Sequence, residues 1–236
     1  MALKPELIQF ASREQMAERL ADVVAVHLDR GLARTGQGRL AVSGGSTPAG
    51  LYTALGARAL DWSHVTAHLV DERWTPTGTP GSNETFINET LRTANASQVS
   101  LKGLWRDTPT PADAMAELNE TFGADWRPFD VVVLGMGGDG HTASWFPHAK
   151  GLDRALNGED LVVAVEAIES SVTGKHVHRA TLSRRALADA AFVCLLITGE
   201  EKRVAFENAI ASDDIQAAPV RALFESRPDL WCGWAA

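Results

Sequence analysis

The segment Asp130-Val131-Val132-Val133-Leu134 runs without a break into Gly135-Met136-Gly137-Gly138-Asp139-Gly140-His141. A continuous apolar run rich in β-branched residues reads as a strand buried on both faces, which requires helices to cover it. The glycine-rich exit then puts a polar cluster at the strand's carboxyl end, where sheets of this kind bind ligands. The pattern recurs twice. Arg39–Val42 enters Ser43-Gly44-Gly45-Ser46-Thr47-Pro48, and Ala67–Val70 ends at Asp71-Glu72-Arg73. With Leu161–Val165 and Ala191–Ile197 as further strands, the expected fold is α/β: a Rossmann-like, mainly parallel sheet with helices on both faces. Three polar clusters then converge on one edge of that sheet.

The helices between the strands are equally legible. Ser12 and Gln15 form a capping-box pattern, Met16, Leu20, Val23, Val24 and Leu28 follow at helical spacing, and Gly31 is expected to end the run. Helices are also expected through Leu51 and Leu55, over Asn83–Leu91, Pro111–Phe122 and Glu200–Ile210. The chain has 236 residues and no Pro/Gly/Ser-rich linker divides it, so residues 1–236 read as one domain. Neither a signal-peptide core nor a run of ~18 apolar residues is present, so a cytoplasmic protein without membrane contact is expected. With 22 Lys+Arg against 30 Asp+Glu the net charge is −8. That balance argues against a nucleic-acid binder, which needs a cationic surplus, but permits one positive pocket for a small anion.

Each cluster has a chemical and a plain reading. The glycines and hydroxyls of Ser43–Pro48, between a strand and a helix, suit an anion cradle or an ordinary capped turn. Gly135–Gly140 matches the dinucleotide fingerprint in form, yet Pro147 interrupts the long helix that fingerprint needs, and Asp160 precedes the next strand, Leu161–Val165, instead of following it. A nicotinamide site is therefore not expected. His141, at a strand exit beside flexible glycines, is placed to take a proton from water near neutral pH. Asp139 either orients it or serves elsewhere. Asp71, Glu72 and Arg73 suit acid–base chemistry or an ion-paired surface turn. The pair His64/His68 brings no obvious third ligand, and His176 and His178, which could share one strand face, are expected to be exposed, so no metal or other cofactor is expected. Arg179 and Lys202 either meet an anion or are solvated. Cys194, inside an apolar run, reads as a small buried hydrophobe.

Taken in order, Ser43–Pro48, Asp71–Pro76, Ser82-Asn83, Gly137–Pro147, Arg179–Ser183 and Thr198–Lys202 resemble the 6-phosphogluconolactonase family. The resemblance spans about residues 40–210 and implies a fold shared with sugar-phosphate isomerases and amino-sugar phosphate deaminases. It implies hydrolysis of 6-phospho-D-glucono-1,5-lactone in the oxidative pentose phosphate pathway, without a cofactor. His141 would activate water, with Asp139 and Asp71 beside it, and Arg73 would hold substrate or stabilise the developing charge. Gly44, Gly45, Ser46, Thr47, Arg179 and Lys202 would hold the phosphate. The partner would be the phosphosugar lactone alone, the protein a monomer or weak homodimer. The deaminases carry an acid shortly after the Asp-Gly-His block, where this chain has Phe146. The closing Trp231–Ala236 departs from the family pattern, and no catalytic residue is expected there.

Overall fold

The computed structural model describes residues 5–236. In chain order its elements are β1 (Leu7–Gln9), α1 (Arg13–Thr35), β2 (Gly38–Val42), α2 (Ala49–Gly56), β3 (Val65–Leu69), β4 (Asp71–Arg73) and α3 (Asn83–Thr90). β5 (Ser100–Lys102), α4 (Met115–Gly123), β6 (Val131–Gly135), α5 (Leu152–Asn157), β7 (Val162–Glu166) and β8 (His178–Leu182) follow. The chain closes with α6 (Arg184–Ala188), β9 (Phe192–Thr198), α7 (Glu200–Ala211), α8 (Arg221–Ser226) and β10 (Trp231–Ala235).

Seven strands form one sheet in the order β1-β10-β9-β6-β2-β3-β5, and every neighbouring pair is parallel. From β2 the chain first builds outward through β3 and β5, then returns to place β6 on the other side of β2. The connections therefore reverse direction between β2 and β6, which opens a crevice beyond their carboxyl ends. The loop after each of these two strands carries a glycine cluster.

A second sheet, β4-β8-β7, is antiparallel, and it corrects two expectations. Leu161–Val165 contributes β7 to this small sheet and not to the main one. Asp71-Glu72-Arg73 is the strand β4 and not a surface turn. Val70 joins the two sheets: its N–H donates to Val42 O at 2.9 Å, and its carbonyl accepts from Leu182 N at 2.7 Å. The short polar β4 hid this arrangement, because a three-residue strand has too few side chains to show alternation.

α1 begins where its capping box predicts, with Ser12 Oγ accepting from Gln15 N at 3.2 Å. It does not end at Gly31, but continues to Thr35 and is closed by Gly36 in the left-handed conformation at φ 74°. Gly31 has a different purpose. A Cβ there would lie 2.3 Å from Asp130 Cγ, so glycine lets the buried Asp130 carboxylate pack against the helix. That carboxylate accepts from Arg39 N and Arg34 Nη2, both at 2.8 Å, tying α1, β2 and the start of β6 together. Pro111–Phe122 is two pieces, a 3-10 turn over Pro111–Ala114 and then α4. The atypical C-terminal segment is β10, paired along its length between β1 and β9.

His64 and His68 separate. His64 bonds Asp61 at 2.9 Å on an exposed turn, whereas His68 is buried on β3 with its ring edge-on to Phe122 and Phe129. Burial, with the nearby charges of Arg39, Lys102 and Arg127, pushes the His68 imidazole down to about 3. No group of three or more His, Cys, Asp or Glu is arranged to hold a metal ion among the described residues. No helix there is long and apolar enough to cross a membrane.

Two outcomes follow. Gly31→Ala will destabilise the protein by about 1–3 kcal/mol in urea titrations, because displacing Asp130 outweighs alanine's better helix propensity. His68 stays neutral when folded but gains a proton when unfolded as pH falls through 6.5. Stability will therefore drop between pH 7 and pH 4.5, and His68→Leu will show a shallower drop across the same urea midpoints.

Candidate active site

A cavity of about 370 Å³ opens over the β2–β6 crevice. Its floor is Ser43–Pro48 after β2 and Gly135–Gly138 after β6, and its walls include Asp71, Arg73, His141, Arg179 and Lys202. The three polar clusters thus meet at one edge, with two later cations added. Of the residues expected at the site, all line this cavity except Asp139, which stands behind His141.

The loop after β6 is built around the imidazole. Asp139 Oδ1 lies 2.6 Å from His141 Nδ1 and also accepts the His141 backbone N–H at 3.1 Å. Burial alone would raise the Asp139 carboxyl, but these bonds and the charge on the imidazole together hold it below its ordinary value. Asp139 is thus an ionised acceptor that fixes the Nδ1–H tautomer and leaves Nε2 as the basic nitrogen. The turn is possible only with glycine: a Cβ on Gly137 would sit 2.2 Å from His141 Nδ1. Gly140 takes φ 80°, closed to most side chains. No long helix follows this turn, as the dinucleotide fingerprint would require, since the next helix is α5 at Leu152. Phe146 packs on the imidazole, ring centroids 4.4 Å apart, with the Arg179 guanidinium carbon 5.3 Å from the same phenyl centroid.

Strand alternation explains Asp71-Glu72-Arg73. Asp71 and Arg73 share one face of β4 and line the cavity, while Glu72 points to the other face and is completely buried. The Glu72 carboxylate accepts from Arg73 N at 2.8 Å, Asn83 N at 2.7 Å, Glu84 N at 2.8 Å and Ser82 Oγ at 3.1 Å. It therefore fastens the first turn of α3 to β4. Burial pushes its carboxyl up to about 7 against the pull of the three N–H donors. Asp71 is held just as firmly, accepting from Ser144 Oγ at 2.6 Å and from Asn83 Nδ2 at 3.3 Å.

Arg73 and Arg179 are direct cross-strand partners in the β4–β8 ladder. Like charges in that position repel, so the pair favours an anion between or beside them. Arg179 is 4% exposed and aligned by donating from Nε to His176 O and from Nη2 to Thr173 O. Burial, offset by Asp71 and reinforced by Arg73, brings its guanidinium down to about 10. Arg73 donates through Nη1 to Gly81 O at 2.5 Å, and its buried Nε has no partner. Lys202, on the first turn of α7, is lowered by burial, an effect its neighbour Glu201 opposes. Thr47 lies 3.3 Å, hydroxyl to hydroxyl, from Thr198 at the end of β9.

Four contributors escaped the site expected from sequence. Asn83 lines the cavity and abuts Gly44, whose Cβ would lie 1.9 Å from its Oδ1. Glu72 and Ser144 act from behind, and Val172 adds an apolar edge. Glu72 left a legible signal as the middle member of an alternating polar triplet, and Asn83 and Ser144 lie within the Ser82-Asn83 and Gly137–Pro147 stretches that carry the family resemblance. His176 and His178 are exposed beside the site and do not line it.

Comparison with known proteins fits this geometry. Residues 11–231 match the family described as glucosamine-6-phosphate isomerases/6-phosphogluconolactonase. A 6-phosphogluconolactonase of Mesorhizobium japonicum is 37% identical over 221 residues, covering 93% of this chain and 90% of its own. That of Pseudomonas aeruginosa is 37% identical over 223 residues, covering 92% and 90%. The crystal structure of a 6-phosphogluconolactonase from Shewanella baltica superposes with a TM-score of 0.92 at 36% identity, covering 100% of both chains. With its crevice, its Asp-Gly-His turn and relatives matched nearly end to end, the chain belongs to the glucosamine-6-phosphate isomerase/6-phosphogluconolactonase family.

Proposed function

We propose that this chain is a 6-phosphogluconolactonase: it hydrolyses 6-phospho-D-glucono-1,5-lactone to 6-phospho-D-gluconate in the cytoplasm, within the oxidative pentose phosphate pathway. The observation that carries this reading is the Asp139–His141 pair, held at 2.6 Å and facing the same cavity as Arg73, Arg179 and Lys202. Residues 1–236 act as one domain, because the cavity draws its walls from both sheets.

The chemistry follows from that placement. Asp139 keeps the proton on Nδ1, so Nε2 accepts a proton from water as the oxygen attacks the lactone carbonyl carbon. The carbonyl oxygen gains negative charge, which Arg73 stabilises from β4. The bond from the carbonyl carbon to the ring oxygen then breaks. The leaving oxygen takes the proton from His141, which restores the base and leaves an open-chain acid. Gly44, Gly45, Ser46 and Thr47 approach the phosphate through backbone N–H and hydroxyl groups, while Arg179 and Lys202 neutralise its charge. Asp71, fixed by Ser144 and Asn83, sets the position of the β4 edge and balances the guanidinium charge beside it.

The other activity in the family's description, an aldose–ketose or deaminating isomerisation, needs a proton relay next to the histidine. Here the neighbour is the Phe146 ring, packed between the imidazole and Arg179, and a phenyl group relays no proton.

The lactone also opens spontaneously, so the decisive measurement is acceleration over buffer. Wild type will accelerate opening, and His141→Asn will lose about 100- to 10,000-fold of kcat with its fold intact. Full activity in that variant would overturn the role of the base. For the phosphate, 6-phosphogluconate will raise the melting temperature more than gluconate does. Arg179→Ala and Lys202→Ala will each weaken the response to 6-phosphogluconate by about tenfold in concentration. Equal responses to both ligands in wild type would remove those two residues from phosphate binding.

A further inference from the structure

A second, larger cavity of about 1,040 Å³ lies against the β2–β3–β5 edge of the main sheet and shares no lining residue with the first. Its floor is one face of three strands. Arg39 pairs with Thr66, and two residues further along His68 pairs with Lys102, so their side chains share a face. Trp105, Trp126 and Phe122 supply aromatic wall.

The polar groups here are built in, and His68, Arg39 and Lys102 keep unspent hydrogen-bonding capacity. His68 is 8% exposed and its Nδ1 has no partner. An orphaned lone pair costs less than an orphaned N–H, so the ring proton belongs on Nε2, where it can be donated to a ligand. Arg39 is 7% exposed, with its guanidinium carbon 5.4 Å from the Trp126 centroid and 5.1 Å from that of Phe129. Its Nη1 donates to Asp125 O at 3.1 Å and Arg127 O at 2.8 Å, which preorganises the group and leaves its other N–H donors available. Arg39, Lys102 and Arg127 form no salt bridge among the described residues, although Arg127 donates through Nη1 to Thr35 Oγ1 at 3.1 Å and through Nη2 to Gln37 O at 3.2 Å. The other liners differ. Arg106 is paired with Glu117, while Glu84, the carboxylate nearest the β5 exit, accepts from Thr77. Asp130, and to a smaller extent Asp125, offer a partial counter-charge to Arg39.

Three unpaired cations on a protein of net charge −8, beside two indoles and a neutral imidazole donor, suit one ligand chemistry. A flat heteroaromatic ring would stack on indole or guanidinium faces, and phosphate oxygens would take the free N–H donors. The volume suits a ligand of that size and is excessive for a bare inorganic anion. We propose that this cavity is a second binding site, separate from the lactone site, for a nucleotide bound through its base and its phosphate.

AMP is the probe, titrated calorimetrically into the full chain with the first cavity saturated by 6-phosphogluconate. Saturable one-to-one binding is expected, with adenosine and inorganic phosphate each at least about tenfold weaker. Lys102→Ala with Arg127→Ala will weaken AMP by about ten- to a hundredfold while leaving lactone hydrolysis unchanged. In NMR spectra AMP will shift the His68 ring signals and spare those of His141. The double-variant arm and the His68 signal do not depend on what the first cavity holds. Absence of binding at millimolar AMP, or unchanged affinity in the double variant, would overturn the site. Displacement of AMP by 6-phosphogluconate would overturn its separateness. Phosphate or adenosine binding as tightly as AMP would overturn recognition of a nucleotide as a whole.

Discussion

Glu72 is fully buried, and its two oxygens collect three backbone N–H groups and a serine hydroxyl from two chain segments. The cavity's geometry depends on that carboxylate. It sets the first turn of α3 against β4, which places Asn83 against Gly44 and Asp71, and Asp71 in turn holds Ser144 in the loop after His141. Three loops from different parts of the chain are thereby fixed to one another through Glu72 and Ser144, which do not line the cavity, and through Asp71 and Asn83, which do. A carboxylate is suited to this, since it accepts several hydrogen bonds at once and complements the positive end of a helix. Removing it would leave buried donors unsatisfied and free three walls of the site together.

The small antiparallel sheet carries the positive side of the cavity. Pairing β4 with β8 sets Arg73 directly opposite Arg179, an arrangement with no merit for stability but with clear use for binding an anion. On the proposed reading, an acidic chain binds a phosphosugar because Arg73, Arg179 and Lys202 are gathered at one cavity, where of its many carboxylates only those of Asp71 and Glu201 are among the lining residues. Ala143, next to Thr142 in the loop after β6, takes φ 51°, a conformation costly for a residue with a Cβ. The bonds from Ser144 N to Thr181 Oγ1 and from Ser144 Oγ to Asp71 hold it there. Local strain is accepted to bring the loop onto β8.

Much of this architecture is legible in the amino-acid sequence. The parallel strands β2, β3, β6 and β9 stand out as apolar runs, and the glycine and charged clusters at their exits mark the cavity. His141 and Asp139 are legible as a pair because the turn between them is local, two residues apart. What escapes is non-local. Asn83 enters the site only through a hydrogen bond to a strand twelve residues earlier in the chain, and Ser144 only through one to Asp71. Gly31 misleads for a related reason: a glycine within a helical pattern reads as a stop, whereas its purpose is to admit a carboxylate ninety-nine positions later. The three-residue strands β1, β4 and β5 lack the length to show periodicity, and β10, Trp-Cys-Gly-Trp-Ala, lacks a β-branched apolar run, so the second sheet and the outer edges of the first stay hidden.

The seating of β10 between β1 and β9 has a consequence for how the molecule is made. β1 begins at residue 7, yet its sheet partner is the segment 231–235. During synthesis β1 has no edge to join until residues 231–235 have left the ribosome. It must wait as an unpaired edge while β2, β3 and β6 assemble behind it. Such long-range closure is slow, because loop entropy is lost before the contact is gained. β10 is therefore the strand that completes the sheet, and a chain stalled before residue 231 would keep two unprotected edges, those of β1 and β9, open to pairing with other chains.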